Sequence, residues 1–303
     1  MKSSRFLVSM AIAAVLAWSA GAGAETLYAV SMRTYSDPSY KGVEGNLYEV
    51  STETGTTRLI TSLNLGGKTP VGLDGLAIHP KTGVFYGITA PSSSVIPRTL
   101  VTLDPLTGVV TPIGDLGVVS SDIEFGEDGT LYAWLPDTRQ LGIVDLATGA
   151  TTPLGKPSPK GAIKGGFTLV GRGKALVAAA GGAGTLDTVD IVTGEIVTGP
   201  ALSGAPFAEL INGLAMSPKR ALYGINTGGA QPTPANLVKI DPVSGAVSNV
   251  GPLPNDTDAL AFGPDLAHSN IASGMMEWRF PVLVALFLFA LIVIVVAMRQ
   301  KRA

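Results

Sequence analysis

The chain contains no cysteine and only two histidines among its 303 residues. Without cysteine, the protein can form no disulfide bond and can use no thiolate in catalysis or metal binding. Charged residues make up only 15% of the sequence and aromatic residues 6%. His79 and His268 lie far apart, and neither is paired with a nucleophile, so a Ser-His-Asp arrangement has no support. These absences make an enzyme the less favoured class, without excluding one.

The N-terminus has the pattern of a secretory signal peptide. Lys2 and Arg5 flank the start of an apolar stretch at residues 6–20, and Ala22, Gly23 and Ala24 form a small-x-small cleavage pattern. We therefore expect residues 1–24 to be removed and the mature chain to begin at Glu25. An uncleaved membrane anchor is the alternative, but this apolar stretch is short for a membrane span.

The C-terminus has the pattern of a membrane anchor. Residues 280–298 are uncharged, which is long enough for a helix to cross a bilayer, and they are followed by Arg299, Lys301 and Arg302. Basic residues beside a span normally stay in the cytoplasm. The sequence therefore predicts a spacer at 265–279, a transmembrane helix at 280–298 and a basic cytoplasmic tail at 299–303. The rest of the mature chain is expected in the periplasm or at the cell surface.

The charge of the exported part limits its partners. Residues 25–278 carry 15 basic and 23 acidic residues. This acidic balance argues against nucleic acid and against anionic lipid surfaces as partners. The signal peptide and the absence of cysteine together favour a bacterial envelope.

Two phrases alternate along residues 25–264. The first is a strand followed by an acidic turn that ends in Thr-Gly or Ser-Gly, as in Leu-Val-Thr-Leu-Asp-Pro-Leu-Thr-Gly at 100–108. Its five copies end at Gly55, Gly108, Gly149, Gly194 and Gly245. The second is typified by Asp-Gly-Leu-Ala-Ile-His-Pro-Lys-Thr-Gly-Val-Phe-Tyr-Gly-Ile from Asp74, and its fifth copy stops after one strand at 258–263.

These phrases predict an all-β fold, a five-bladed β-propeller. Each unit of about 40–50 residues holds four short strands joined by turn residues, which is typical of propeller blades. Residues 26–30 match the second strand of another copy, at 130–134. We therefore expect the N-terminus to supply the second, third and fourth strands of the last blade, and residues 258–263 to supply its innermost strand. This closure leaves no open sheet edge between the first and last blades.

With these phrases, residues 25–264 resemble the secreted YVTN/quinoprotein-like β-propeller superfamily. The resemblance implies the fold but no particular activity. The C-terminal segment resembles the sorting signals of bacterial surface proteins, which combine a short motif, an apolar span and a basic end. Met276, Glu277 and Trp278 stand where one class has its recognition motif, but the remainder of that motif is missing. A plain anchor is therefore preferred, and cleavage of the span is left open.

Candidate site residues come from aligning the second phrase. The residue at the entry to each inner strand is Asp74, Ser121, Gly165, Asn212 or Asp258. In a propeller these positions surround the channel on the face that carries the long loops. Asp74, Asn212 and Asp258 could hold calcium, which prefers oxygen ligands. The simpler interpretation is that these side chains cap strand-entry turns. Glu124 stands where the other copies have Ala or Thr, and we expect it to project into the channel.

Three functions remain open at this point. The first is a membrane-tethered, extracytoplasmic binding module whose loop-rich face binds an envelope protein, a glycan or a small polar ligand. The second is a calcium-dependent, lactonase-like hydrolase that uses Asp74, Asn212, Asp258 and Glu124. The third is a structural surface protein whose channel is filled by apolar groups.

Overall fold

The computed structural model describes residues 25–32, 45–158, 165–171, 173–178, 184–228 and 234–266. The predicted signal peptide, most of the predicted spacer, the predicted span and the basic tail lie outside these residues, and they stay predictions. Among the residues that the structure describes, no helix is long and apolar enough to cross a bilayer.

The elements of the described residues are strands, and they are short because turn residues interrupt them at regular spacing. In chain order they are β1 (Glu25–Ser31), β2 (Asn46–Val50), β3 (Thr57–Ser62), β4 (Asn64–Leu65), β5 (Thr69–Pro70), β6 (Gly75–Ile78), β7 (Phe85–Ile88), β8 (Thr99–Leu103), β9 (Val109–Asp115), β10 (Asp122–Phe125), β11 (Leu131–Leu135), β12 (Gln140–Val144), β13 (Thr151–Pro153), β14 (Phe167–Gly171), β15 (Lys174–Ala178), β16 (Leu186–Asp190), β17 (Ile196–Val197), β18 (Ile211–Met216), β19 (Leu222–Thr227), β20 (Ala235–Ile240), β21 (Val247–Leu253) and β22 (Thr257–Pro264).

The strands form five sheets, the blades of a five-bladed propeller, and the four main strands of each blade pair antiparallel. From the channel outward, blade 1 is β22-β1-β2-β3, blade 2 begins β6-β7-β8-β9, blade 3 is β10-β11-β12-β13, blade 4 is β14-β15-β16-β17 and blade 5 is β18-β19-β20-β21. The five inner strands contact one another in a closed ring. The all-β, five-bladed prediction is confirmed.

Blade 1 joins the two ends of the propeller, as the repeats predict. β22 pairs antiparallel with β1 from Glu25 opposite Pro264 to Ser31 opposite Thr257. The N-terminal part of the described chain thus supplies three strands of this blade, and residues 257–264 supply the innermost one. The predicted closure is confirmed.

Blade 2 carries an addition that the sequence does not predict. Within the connection at residues 64–73, β4 and β5 form a small hairpin. β4 pairs in parallel with β9, so that Asn64 lies opposite Val109. The hairpin covers the outer edge of this blade, which would otherwise present unpaired main-chain groups.

The core consists of five apolar clusters, each between two neighbouring blades. The cluster between blades 1 and 2 includes Tyr28, Leu76 and Phe85, whereas the cluster between blades 3 and 4 includes Trp134 and Phe167. The remaining clusters fill the other three junctions. Because each blade buries both of its faces against neighbours, closing the ring is what completes the core.

The acidic residue of each repeated turn caps its own turn. The Asp104 carboxylate accepts hydrogen bonds from the main-chain N–H groups of Leu106 (2.9 Å) and Thr107 (3.3 Å). Asp145, Asp190 and Asp241 make the same pair of bonds two and three residues ahead. Hydrogen bonds to the ionised form hold the pKa of Asp104 below its usual range. These carboxylates therefore serve the turns rather than a site.

The glycine that ends each of these turns docks against the preceding blade. Gly245 has φ = 75°, and a Cβ there would overlap the carbonyl oxygen of Ala201 in blade 4. A Cβ on Gly108 would likewise overlap the carbonyl oxygen of Ser62, and a Cβ on Gly149 would overlap that of Gly114. The turn therefore needs glycine for two reasons, namely the positive φ and the close approach of two backbones.

Gly245→Ala is expected to destabilise the protein more than Gly117→Ala. Gly117 has a similar φ of 72° but open space around the site of a Cβ, so its replacement costs only the left-handed strain of about 1 kcal/mol. Gly245→Ala adds the overlap with Ala201, for a further 1–3 kcal/mol or so. Denaturant unfolding of the two variants measures the difference. Equal losses of stability would mean that the docking contact contributes nothing.

Candidate functional site

A cavity of about 1020 Å³ lies along the propeller axis, and we call it the channel cavity. It is lined by the second halves of the five inner strands and by the tight turns that follow them. It therefore opens on the face of the tight turns, opposite the loop-rich face on which the sequence predicts binding. Several loops of that other face lie outside the described residues, so the loop-rich face stays a prediction.

Close packing of the inner strands narrows the channel toward the loop-rich face. A Cβ on Gly166 would overlap the backbone of Gly213 in the next blade. A Cβ on Gly213 would lie 2.9 Å from the carbonyl oxygen of Asp258. Neighbouring backbones thus touch at these two junctions, whereas the cavity is lined by the other halves of the inner strands.

The predicted entry residues lie at the starts of the inner strands and mostly bond across blade junctions. The Ser121 hydroxyl donates to the Gly165 carbonyl (2.9 Å), and the Asn212 amide donates to the Asp258 carboxylate (3.0 Å). Asp74 is half-buried at the entry to β6, and its main-chain N–H donates to the Ile88 carbonyl (2.8 Å). The structure thus brings Asn212 and Asp258 together and joins Ser121 to blade 4.

Asp122 is a buried carboxyl group that the sequence analysis missed. It is 1% exposed, and its carboxylate accepts hydrogen bonds from Ile123 N–H (2.9 Å) and from Phe167 N–H (3.1 Å) in blade 4. Burial raises its pKa well above the usual range, and the nearby Glu124 and Asp258 carboxylates add to the effect. The sequence does mark Asp122 as unusual, because the other copies of the second phrase have Gly or Ala at this position.

Glu124 lines the channel cavity and reaches across to blade 4. Its carboxylate accepts a hydrogen bond from the Thr168 hydroxyl (3.2 Å) and another from the main-chain N–H of Leu169. Burial raises the pKa of Glu124 to about 8, although these hydrogen bonds act in the opposite direction. Glu124 is therefore mostly protonated at neutral pH, and the junction between blades 3 and 4 holds a nearly neutral carboxyl group.

The entry residues do not fit a calcium site well. Asn212 directs an N–H donor at Asp258, which is the geometry of a hydrogen-bonded cap, whereas a metal ligand would direct an oxygen at the ion. In the part of the chain that the structure describes, no three His, Cys, Asp or Glu side chains are grouped to hold a metal ion. The geometry thus pairs Asn212 with Asp258 across a blade junction, and both the calcium interpretation and the capping interpretation of Asp74 stay predictions.

The mouth of the channel cavity carries charges of both signs. The Lys81 ammonium donates to the main-chain carbonyl of Asp128 in blade 3 (2.9 Å), and the Arg220 guanidinium donates to the Val170 carbonyl in blade 4 (2.6 Å). Glu127 is exposed at the same mouth. Hydrogen bonds from Thr130 lower the pKa of Asp128, so that this carboxylate stays ionised.

Comparison with known proteins gives no family for this chain. No family model matches it, and no curated protein matches it. Among solved structures, TolB from Acinetobacter baumannii is 17% identical over 75% of this chain and 53% of its own, with a TM-score of 0.44. A structural genomics protein of unknown function from Bacteroides thetaiotaomicron is 13% identical over 60% of this chain and 51% of its own, with a TM-score of 0.45. The chain spans about half the length of both.

Proposed function

We propose that the protein is an extracytoplasmic binding module, tethered to a membrane, whose ligand occupies the channel cavity. Export and tethering rest on the predicted signal peptide at 1–24 and the predicted span at 280–298. The binding site rests on one observation, which is the cavity of about 1020 Å³ enclosed by the inner strands. Ligand sites in proteins are typically concave and range from about 300 to 1,000 Å³.

The cavity is suited to binding because its walls are rigid. Each wall is an inner strand held by a second strand of its own blade and packed against both neighbouring blades. A preformed site orders few groups when a ligand enters, so little of the binding free energy is lost. Small side chains such as Ala77, Ala215 and Ala261 leave the space open.

A mouth near the predicted tether is supported by where the described chain ends. Pro264 lines the mouth, and the Tyr28 hydroxyl donates to its carbonyl (2.7 Å) while accepting the N–H of Leu266 (3.2 Å). Residues 267–279 then precede the predicted span, and 13 extended residues reach at most about 45 Å. The proposed ligand would therefore be met close to the membrane that carries the predicted anchor.

The absence of cysteine makes this proposal testable with single-cysteine variants of the full chain. Thr82→Cys lies at the cavity mouth, Ser94→Cys lies on the loop-rich face, and Gln300→Cys lies in the predicted cytoplasmic tail. We expect a membrane-impermeant maleimide to label Thr82→Cys several-fold more slowly in cells than after purification, because a bound ligand shields the mouth. Ser94→Cys should react equally in both conditions, and Gln300→Cys should be protected in intact cells.

Two outcomes of the labelling would contradict the proposal. Shielding of Ser94→Cys but not of Thr82→Cys would make the loop-rich face the binding surface. Rapid labelling of Gln300→Cys in intact cells would contradict the predicted topology. The hydrolase alternative gains no support here, because Asn212 and Asp258 are bonded to each other.

A further inference from the structure

Each inner strand has one edge that faces the channel, and this edge carries main-chain groups. His79 N–H bonds to the Val84 carbonyl in blade 2, and Gly126 N–H bonds to the Thr130 carbonyl in blade 3. Hydrogen-bonded and non-hydrogen-bonded pairs alternate along an antiparallel ladder. The residue before each of these two, Ile78 or Phe125, therefore directs both its N–H and its C=O toward the channel.

The preceding blade caps two of the five equivalent N–H groups. In blade 4, the N–H of Leu169 donates to the Glu124 carboxylate of blade 3. In blade 5, the N–H of Met216 donates to the Thr168 hydroxyl of blade 4 (3.1 Å). Glu124 and Thr168 occupy the same position of their repeats, so one position in each blade decides whether the next edge is capped.

The other three edges face alanine at that position. Ala77 of blade 2 stands at this position for the edge of Phe125 in blade 3. In the same way, Ala215 of blade 5 stands there for Phe262 in blade 1, and Ala261 of blade 1 for Ile78 in blade 2. The methyl group of alanine accepts no hydrogen bond. Within the described ranges, no side chain caps the N–H groups of Ile78, Phe125 or Phe262, and all three residues line the channel cavity. They belong to the consecutive blades 1, 2 and 3. One side of the cavity thus offers main-chain donors and acceptors, while the other side is closed by Glu124 and Thr168.

This arrangement selects a class of ligand. Blades 1, 2 and 3 each contribute one uncapped pair of main-chain N–H and C=O groups, and these pairs lie at a single level around the channel. An extended peptide instead needs successive main-chain groups along the edge of one strand. Each edge offers a donor together with an acceptor, which suits hydroxyl groups because they both donate and accept. The mouth carries Lys81, Arg220 and Lys174, of which Lys174 is paired with Asp190, as well as Glu127 and Asp128, so it does not favour a ligand of one charge.

We propose that the channel cavity binds an uncharged polyhydroxylated ligand, a short saccharide, through the main-chain groups of Ile78, Phe125 and Phe262. This assignment rests on the proposed function, because it names the ligand of the same cavity. Main-chain groups that are hydrogen-bonded to water lose nothing, but a ligand that displaces this water without replacing its hydrogen bonds leaves these groups unpaired, at a cost in binding free energy. Hydroxyl groups of a saccharide remove that cost while they fill the cavity.

The test uses serine to cap the open edges from within the protein. Ala77→Ser and Ala215→Ser each add one hydroxyl at the position of Thr168, and Ala147→Ser makes the same change on an exposed turn as a control. Binding of neutral mono- and disaccharides to the purified full chain is measured by saturation-transfer NMR. We expect at least one saccharide to bind, and its affinity to fall about tenfold or more in the double variant, because two of the three open main-chain donors are then occupied. The Ala147→Ser control should bind as the parent does.

A second measurement does not depend on the serine variants folding. Saccharide, inorganic phosphate and a trialanine peptide are each tested for protection of Thr82→Cys against maleimide in the purified chain. Protection by the saccharide alone supports the proposal. Protection by phosphate or peptide but not by any saccharide would overturn the ligand class and leave the cavity as the binding site. Protection by none of them, with Ser94→Cys shielded in cells, would overturn the proposed function as well. Saccharide binding that is unchanged in a folded double variant would overturn the main-chain mode of recognition.

Discussion

Arg139→Ala is expected to lower the free energy of unfolding by about 3–5 kcal/mol, because it leaves a buried carboxylate without its partner. Arg139 and Asp187 are 6% and 3% exposed, and the guanidinium lies 3.1 Å from the carboxylate across the junction of blades 3 and 4. The other carboxylate oxygen accepts the Thr185 hydroxyl (2.7 Å). Urea unfolding of the full chain in detergent measures the change.

Two controls separate the buried pair from charge in general. Lys174→Ala breaks an ion pair with Asp190 that is much more exposed, so it should lower stability far less than Arg139→Ala does. The double replacement of Arg139 by Met and Asp187 by Leu removes both charges, and it should recover most of the stability that Arg139→Ala loses. A loss for Arg139→Ala no larger than that for Lys174→Ala would show that the buried pair is not needed.

The fold could be predicted because its determinants are local and repeated. Turn residues such as Asp104 and Gly108 act within a few residues of themselves, and each recurs once per blade. The closure of blade 1 could be predicted for the same reason, since the truncated fifth copy lacks strands that residues 26–30 begin to supply. A short periodic pattern therefore carries the number of blades and the way in which the ring closes.

The position of the cavity could not be predicted in this way. It depends on how closely Gly166 and Gly213 bring neighbouring inner strands together, which is a property of packing between blades. The ion pair of Arg139 and Asp187 joins residues 48 apart in the chain, and Arg139 belongs to neither repeated phrase. Glu124 was found because it breaks the repeat, and Asp122 breaks it equally. Residues that depart from the repeat within the inner strands thus carried more information about the channel than the residues at the entries to these strands did.

Glu124→Gln is expected to remove much of the pH dependence of stability between about pH 5 and 8. Burial raises the pKa of Glu124 from 4.5 to about 8, so the folded protein binds a proton that the unfolded chain has released at neutral pH. The contribution of this group to stability is therefore fully present below about pH 4.5 and is lost as the pH rises through 8. At 1.36 kcal/mol per pKa unit, the rise from 4.5 to about 8 makes this loss about 5 kcal/mol.

Glutamine has the same shape as glutamate but does not titrate. Its side-chain oxygen can accept the N–H of Leu169, and its amide can donate to Thr168, so the contacts of the protonated carboxyl group are kept. The variant should match the parent near pH 5 and exceed its stability by a few kcal/mol near pH 8.5, with the remaining slope due to Asp122 and other groups. Urea unfolding at several pH values measures this difference, and Glu127→Gln, on an exposed neighbour, serves as the control.

Parallel stability curves for the parent and Glu124→Gln would mean that Glu124 is ionised in the folded protein. In that case Glu124 would carry a negative charge at the channel cavity, and the cavity would attract cations rather than neutral ligands.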